Sequence, residues 1–391
     1  MNEEDFFSGA NPGPLNGMLV VSLEQILAGP YCTKLLWELG ATIVKVEQPE
    51  GDIARSMPPF FHGNSVYFSH VNYGKKSIAL NLEDEADKDI FKRLIQRADV
   101  FFENMPVGYL EKIGFKAKSL LELNPKLVCA SLSGFGQNIE NNTIAYDVVI
   151  QAMSSLMSVT GYPDAGPVRV GAEIGDVTGA TYMAIAIVSS LYERVKNQSP
   201  GICIDVSLLD SLAAIMEGTL LNYSANGEIP KPKGNKEPAT SPFDLYQCQD
   251  RKVGIVCGNQ SLYEKFCSAL GCEYLLKDPR FVDNQARVKN CDELKAEINK
   301  ILSKMPVSEV FETLAKAGVP VSPVNHVSDL FDSEQLKARN MIVSLTSPDF
   351  EGISTAGNPI KLSAYPDKSE TRPPPPFLNG DRDTIIKLFK T

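Results

Sequence analysis

Five carboxylates stand where a carboxylate could do chemistry: Asp52, Glu103, Asp147, Glu173 and Asp176. Asp176 is set apart by the segment on its C-terminal side. It lies in the run Gly171-Ala172-Glu173-Ile174-Gly175-Asp176-Val177-Thr178-Gly179-Ala180, and no charged residue occurs from Val177 to Tyr192. The stretch VTGATYMAIAIVSSLY reads as a helix buried on most sides, with Asp176 as its N-cap, a position Asp takes for structural reasons alone. The positive helix end would hold the carboxylate ionised and nucleophilic. Such a group can attack an activated acyl carbon and carry it covalently.

Cations form the second group. Lys45, Arg55, Lys75, Lys112 and Arg169 fall at or near the ends of expected strands and could converge on a phosphate-bearing ligand, although any single lysine is more often a solvated surface group. The turn Ser131-Leu132-Ser133-Gly134-Phe135-Gly136 comes after a strand, but Ile139 occupies the place of a third glycine. A dinucleotide fingerprint is therefore incomplete, and a tight strand-to-loop turn is the simpler reading.

Strand and helix patterns alternate through the first half. Leu19–Leu23, Thr42–Val46, Ser77–Leu80, Val100–Phe102 and Leu127–Ser131 read as strands; Tyr31–Leu39 and Asp84–Ala98 read as helices. This alternation predicts an α/β, Rossmann-like large domain with a mainly parallel sheet. Ligands of such sheets bind beyond the carboxyl ends of the strands, which singles out 23–30, 47–55, 103–106 and 131–138. A proline-rich polar stretch after residue 225 introduces a smaller α+β domain, with strands near Phe243 and Val253 and helices from Ser261 and Asp292. The expected division is a large domain over 1–195 completed by 346–391, a linker over 196–226, a small domain over 227–325 and a second linker over 326–345.

Composition narrows the function classes. The 391 residues are 43% apolar and 22% charged, as in an ordinary globular protein, and a net charge of -10 offers nucleic acid no basic surface. The acidic N-terminus has no apolar signal region, and the apolar run after Asp176 falls short of the ~20 residues of a membrane span. Eight cysteines without a C-x-x-C pair point to reduced thiols in the cytoplasm, and three histidines make a histidine-based metal centre improbable on numbers alone.

Pro14-Leu15-Asn16-Gly17, Leu27-Ala28-Gly29-Pro30, Lys45-Val46-Glu47, Gly51-Asp52, Gly74-Lys75-Lys76, Glu103-Asn104, Ser133-Gly134-Phe135-Gly136, Tyr146-Asp147, Gly175-Asp176 and Gly258-Asn259 occur in an order that resembles the class III CoA-transferases, the family of formyl-CoA:oxalate and carnitine CoA-transferases. The resemblance runs along nearly the whole chain. It implies that Asp176 is the nucleophile, passing through an aspartyl anhydride and an aspartyl-CoA thioester. It implies no permanently bound cofactor, with coenzyme A and acyl-CoA as substrates and a small carboxylate as acceptor. CoA contacts carry over to Ile26, Leu27, Ala28, Gln48, Lys75, Asn104, Met105, Lys112, Ser133 and Phe135, and Gly258 and Asn259 match a loop able to cover the site. An interlocked homodimer is implied, threaded through the two linkers. Gln48 and Leu27 depart from the formyl-CoA enzyme's arginine and glutamine, which weighs against a formyl donor. The pattern around Tyr162-Pro163-Asp164 and Arg169 resembles oxalate-using members, with Arg169 as a candidate for the acceptor anion.

Three rivals stand beside this. An α-methylacyl-CoA racemase shares the fold but uses a histidine before an aspartate, where this chain has Tyr146 before Asp147. A non-catalytic CoA-binding protein would not need Asp176. A nicotinamide dehydrogenase is disfavoured by the incomplete glycine motif.

Overall fold

The structure, a computed structural model, describes residues 6, 11–137, 144–367 and 369–390; Asn138 and Ile139 of the glycine turn lie outside the described residues. The first unit comprises Met1–Met157, Arg169–Ile229 and Glu334–Thr391. Its sheet has six strands: β1 (Leu19–Leu23), β2 (Thr42–Glu47), β3 (Lys76–Ala79), β4 (Val100–Glu103), β5 (Val128–Ser133) and β6 (Ile202–Ser207). All pairings are parallel and the order is β3-β2-β1-β4-β5-β6, the doubly wound arrangement. Strands buried on both faces must be apolar at successive positions, and β1 (LVVSL) is buried throughout.

The alternation of side chains divides the core. Val20, Phe102, Val128 and Ala130 meet α1 (Ala28–Glu38) and the long α5 (Ile174–Asn197) on one face. Leu19, Val21, Val44, Phe101 and Cys129 meet α2 (Glu85–Arg97) and α3 (Ala117–Leu123) on the other. The edge strand β3 is closed by the C-terminal segment: Asn379 Oδ1 accepts from Ala79 N at 2.8 Å and Asp381 Oδ2 from Ser77 N at 2.9 Å.

Three expectations differ from what the chain does. First, α5 buries only Gly175, Gly179, Ala180, Met183, Ala184, Ile187 and Leu191, a single stripe. Its opposite face leaves Ile185, Tyr192 and Val195 between 57% and 67% exposed. Its 24 residues would by length and composition alone suit a membrane span, longer than the apolar run suggested because the helix continues through Glu193 and Arg194. Second, residues 196–226 contain β6, α6 (Leu208–Ile215) and a helix over Glu217–Asn226, so part of the expected linker is the sixth strand of the main sheet. The expected linker over 326–345 likewise carries two short helices and a strand, Ile342–Leu345. Third, Ser158–Val168 groups with the second unit, because Gly234 N donates to Gly161 O at 2.8 Å and Asn235 Nδ2 to the Tyr162 hydroxyl at 2.7 Å.

The second unit, Ser158–Val168 with Pro230–Ser333, is α+β. Strand β8 (Lys252–Val256) pairs antiparallel with β7 (Phe243–Gln247) and β9 (Val321–Pro323). Helices α7 (Gln260–Ala269), α8 (Cys291–Leu302) and α9 (Val307–Lys316) supply Phe266, Leu294, Ile298, Val310 and Leu314 to its core.

Candidate active site

Strand order reverses between β1 and β4, and the turns after those two strands splay apart there. A cavity of about 390 Å³ occupies the opening. Ile26, Leu27 and Ala28 come to it from the β1–α1 turn, Asn104 and Met105 from the end of β4, Ser133 and Phe135 from the end of β5, and Asp176 from the first turn of α5. Eight of the residues named from sequence thus share one cavity. Gln25, Pro106, Ile144, Tyr146 and Leu208 also line it and went unnamed as contacts. Those at strand ends were within reach of the strand-end rule, whereas Leu208 opens α6, inside the stretch expected to be a linker.

Asp176 does not cap α5. Glu173 holds the cap position, Asp176 is the third helical residue, and Asp147, the first residue of α4 (Asp147–Met153), does the capping: its Oδ1 accepts from Gly175 N at 2.7 Å. Asp147 Oδ2 accepts from the buried Gln151 amide at 2.6 Å, and Gln151 Oε1 accepts from Val170 N at 2.8 Å. The positive helix end is therefore answered by Asp147. Burial, then the charges of Asp147 and Glu173, push the Asp176 carboxyl up to about 7. Against the expectation that the helix end keeps Asp176 ionised, desolvation and two like charges act in the opposite direction. Tyr67, from the short helix Val66–Asn72, stays protonated, since burial and the fields of Asp176 and Glu173 push its hydroxyl up to about 12.

The cations do not converge on the cavity. Lys75 Nζ is buried and committed to Glu24 Oε1 (2.8 Å), Asn72 Oδ1 (2.9 Å) and Pro30 O (3.0 Å). Lys45 is buried against Asp52 at 2.9 Å, and Arg55 pairs with Glu47 at 2.7 Å. A lysine leaves water only for a partner, so these groups serve the interior. Burial pulls the Asp52 carboxyl upward, but Lys45 and the N–H groups of Ala54 and Ile26 prevail and hold it below the usual range. Gln48 is exposed and donates to the Tyr109 hydroxyl at 3.1 Å, Lys112 is exposed at the end of a four-residue helix, and Arg169 is exposed. Gly258 and Asn259 belong to the second unit, where Asn259 caps α7 by accepting from Leu262 N at 2.9 Å.

Fold and cavity define a doubly wound α/β enzyme with a carboxylate at its switch-point crevice. The chain belongs to CoA-transferase family III, whose family model matches residues 15–382. It is 41% identical over 380 residues to acetyl-CoA:oxalate CoA-transferase of Acetobacter aceti, covering 96% of each chain. It is 34% identical over 390 residues to succinyl-CoA:mesaconate CoA-transferase of Haloarcula marismortui, covering 97% of this chain and 95% of the relative. Among solved structures, a CAIB/BAIF family protein from Brucella suis superposes with a TM-score of 0.88 at 35% identity, covering 96% of this chain and 99% of that one.

Proposed function

We propose that this enzyme moves CoA from an acyl-CoA donor to a small carboxylic acid, with Asp176 as the covalent carrier. The observation that carries the reading is the placement of Asp176 in the same cavity as the β1–α1 turn and the β5 turn. The relatives act on pairs of short acids, as their names state, which favours a short mono- or dicarboxylate acceptor such as oxalate and an acetyl or succinyl donor, with formyl the less favoured.

The chemistry balances without ATP. The ionised Asp176 oxygen attacks the donor thioester carbon; a C–O bond forms, the C–S bond breaks and CoA leaves as thiolate. The thiolate attacks the aspartyl carbon of that anhydride, giving an aspartyl-CoA thioester and releasing the donor acid. The acceptor carboxylate attacks this thioester, and the thiolate then takes the acceptor acyl group, restoring Asp176. Water must stay out, because hydrolysis of either intermediate ends the cycle. Leu132, Phe135, Ile144 and Leu208 give the cavity an apolar lining suited to that.

The exposed apolar face of α5, with Ile202, Leu220 and Leu221 at 48–67% exposure, favours the interlocked homodimer that the family resemblance implies. All eight cysteines are unpaired, which suits the cytoplasm. The decisive test is Asp176→Ala with acetyl-CoA and a panel of short acids. Exchange is expected to fall by at least about 10³-fold with CoA binding retained, and hydroxylamine or borohydride should mark position 176 of the parent chain during turnover. Near-parental exchange by the variant refutes the assignment.

A further inference from the structure

The turn from β1 to α1 is four residues long, and side chains from elsewhere hold its backbone at each of the first three. Glu24 O accepts from Lys45 Nζ at 2.8 Å. Gln25 gives its N–H to Asn104 Oδ1 at 2.8 Å and takes Asn104 Nδ2 on its carbonyl at 3.1 Å. Ile26 N donates to Asp52 Oδ1 at 3.0 Å. Lys45 and Asp52 are themselves paired at 2.9 Å with fully buried side chains. One ion pair from β2 and the turn after it thus grips the backbone on both sides of Gln25.

The grip coincides with strain. Ile26 has φ of 66°, a left-handed conformation that a β-branched residue avoids. Such outliers persist only where the surroundings over-determine them, and they gather at ligand sites. Ile26, Leu27 and Ala28 line the cavity directly after the gripped residues. Were Ile26 to relax to negative φ, the peptide planes on either side would rotate and carry that wall with them.

We propose that the Lys45–Asp52 pair is a positioning device for the CoA-binding turn, setting affinity for the acyl-CoA and leaving affinity for the free carboxylate untouched. This rests on the function proposed above. Neither residue touches the cavity: both act through the backbone of Glu24 and Ile26.

The test uses the full chain with CoA, acetyl-CoA and oxalate. The double variant K45M/D52N removes both charges together, so that neither is left buried and unpaired. We expect a CoA Kd about tenfold weaker by calorimetry, and a KM for acetyl-CoA raised by the same factor with the KM for oxalate unchanged. Adding Ile26→Gly should recover most of the loss, because glycine takes this φ without strain; adding Ile26→Ala should not. A parental Kd, an equal rise in both KM values, or equal recovery by Gly and Ala overturns the proposal. Should the double variant fail to fold, Asp52→Asn alone retains an acceptor for Ile26 N–H, and its expected loss is about threefold in CoA Kd; a parental value overturns the proposal. Calorimetry needs no turnover. A chain that binds CoA but transfers none sinks the function while Kd still decides the grip, and a chain that binds no CoA sinks both.

Discussion

At the scale of single residues, two aspartates show opposite electrostatics. Asp176 is raised to about 7 by burial and by Asp147 and Glu173, so near neutral pH it is a mixture of acid and carboxylate. In the proposed reaction only the carboxylate attacks, hence kcat/KM for the acyl-CoA should climb through about pH 7 and level off above it. Asp147→Asn removes the like charge with the larger effect and should move that midpoint to lower pH; an unmoved profile contradicts the electrostatic account. The same shift has a consequence for stability. A carboxyl raised on folding contributes stability that is present below its unfolded value and is lost as pH rises through about 7. Asp176→Asn should therefore unfold later than the parent above pH 7, by roughly 1–3 kcal/mol in urea titrations, and the two should converge near pH 4. Asp52 has the reverse sign. Held below the usual range, it contributes at neutral pH and loses that contribution only as pH falls below the ordinary aspartate range.

At the scale of elements, α5 is the piece that brings Asp176 to the cavity, and its glycines set how closely it can lie. A Cβ at Gly179 would fall 2.4 Å from Leu208 Cδ2, and Leu208 lines the cavity. Gly179→Ala must push Leu208 into the cavity or lift α5 away from α6. The expected cost is about 1–3 kcal/mol in denaturant unfolding, together with a raised KM for the acyl-CoA; a variant with parental stability and parental KM would show that the contact is slack. The other end of the same helix is held without crowding: Arg194 Nη2 pairs with Asp99 Oδ1 at 2.6 Å, tying α5 to the turn before β4.

At the scale of the molecule, the first unit exposes a group of large apolar side chains. Ile185, Tyr192 and Val195 from α5 and Leu220 and Leu221 from the helix Glu217–Asn226 are all more than half exposed. Sedimentation equilibrium should give a homodimer, and Ile185→Glu with Leu221→Glu should yield a monomer of lower solubility or stability with exchange activity lost. A parent chain that sediments as a monomer at micromolar concentration removes the dimer from the account.

Much of the architecture was written in local pattern. Strands buried on both faces have to be apolar at nearly every position, so β1, β2, β4 and β5 were visible as short apolar runs between turns, and the parallel sheet followed from their alternation with helices. The strand-end rule reached the segments 23–30, 103–106 and 131–138, because a doubly wound sheet binds its ligands there, whereas the seven contacts named within them came from the family resemblance, and Asp176 stood out by the apolar helix that follows it. The fate of the charges was not legible. Lys45 and Lys75 look like any lysines near strand ends, and only the folded chain places Asp52 on the one and Glu24 on the other. Likewise an Asp before an apolar helix reads as its cap until Asp147, 28 residues before Gly175, is found on that N–H. Local sequence determines which segments become strand or helix, because propensity and burial act on near neighbours. Tertiary structure decided which carboxylate caps, which titrates and which lysine is withdrawn from solvent, because those outcomes depend on desolvation and on partners distant along the chain.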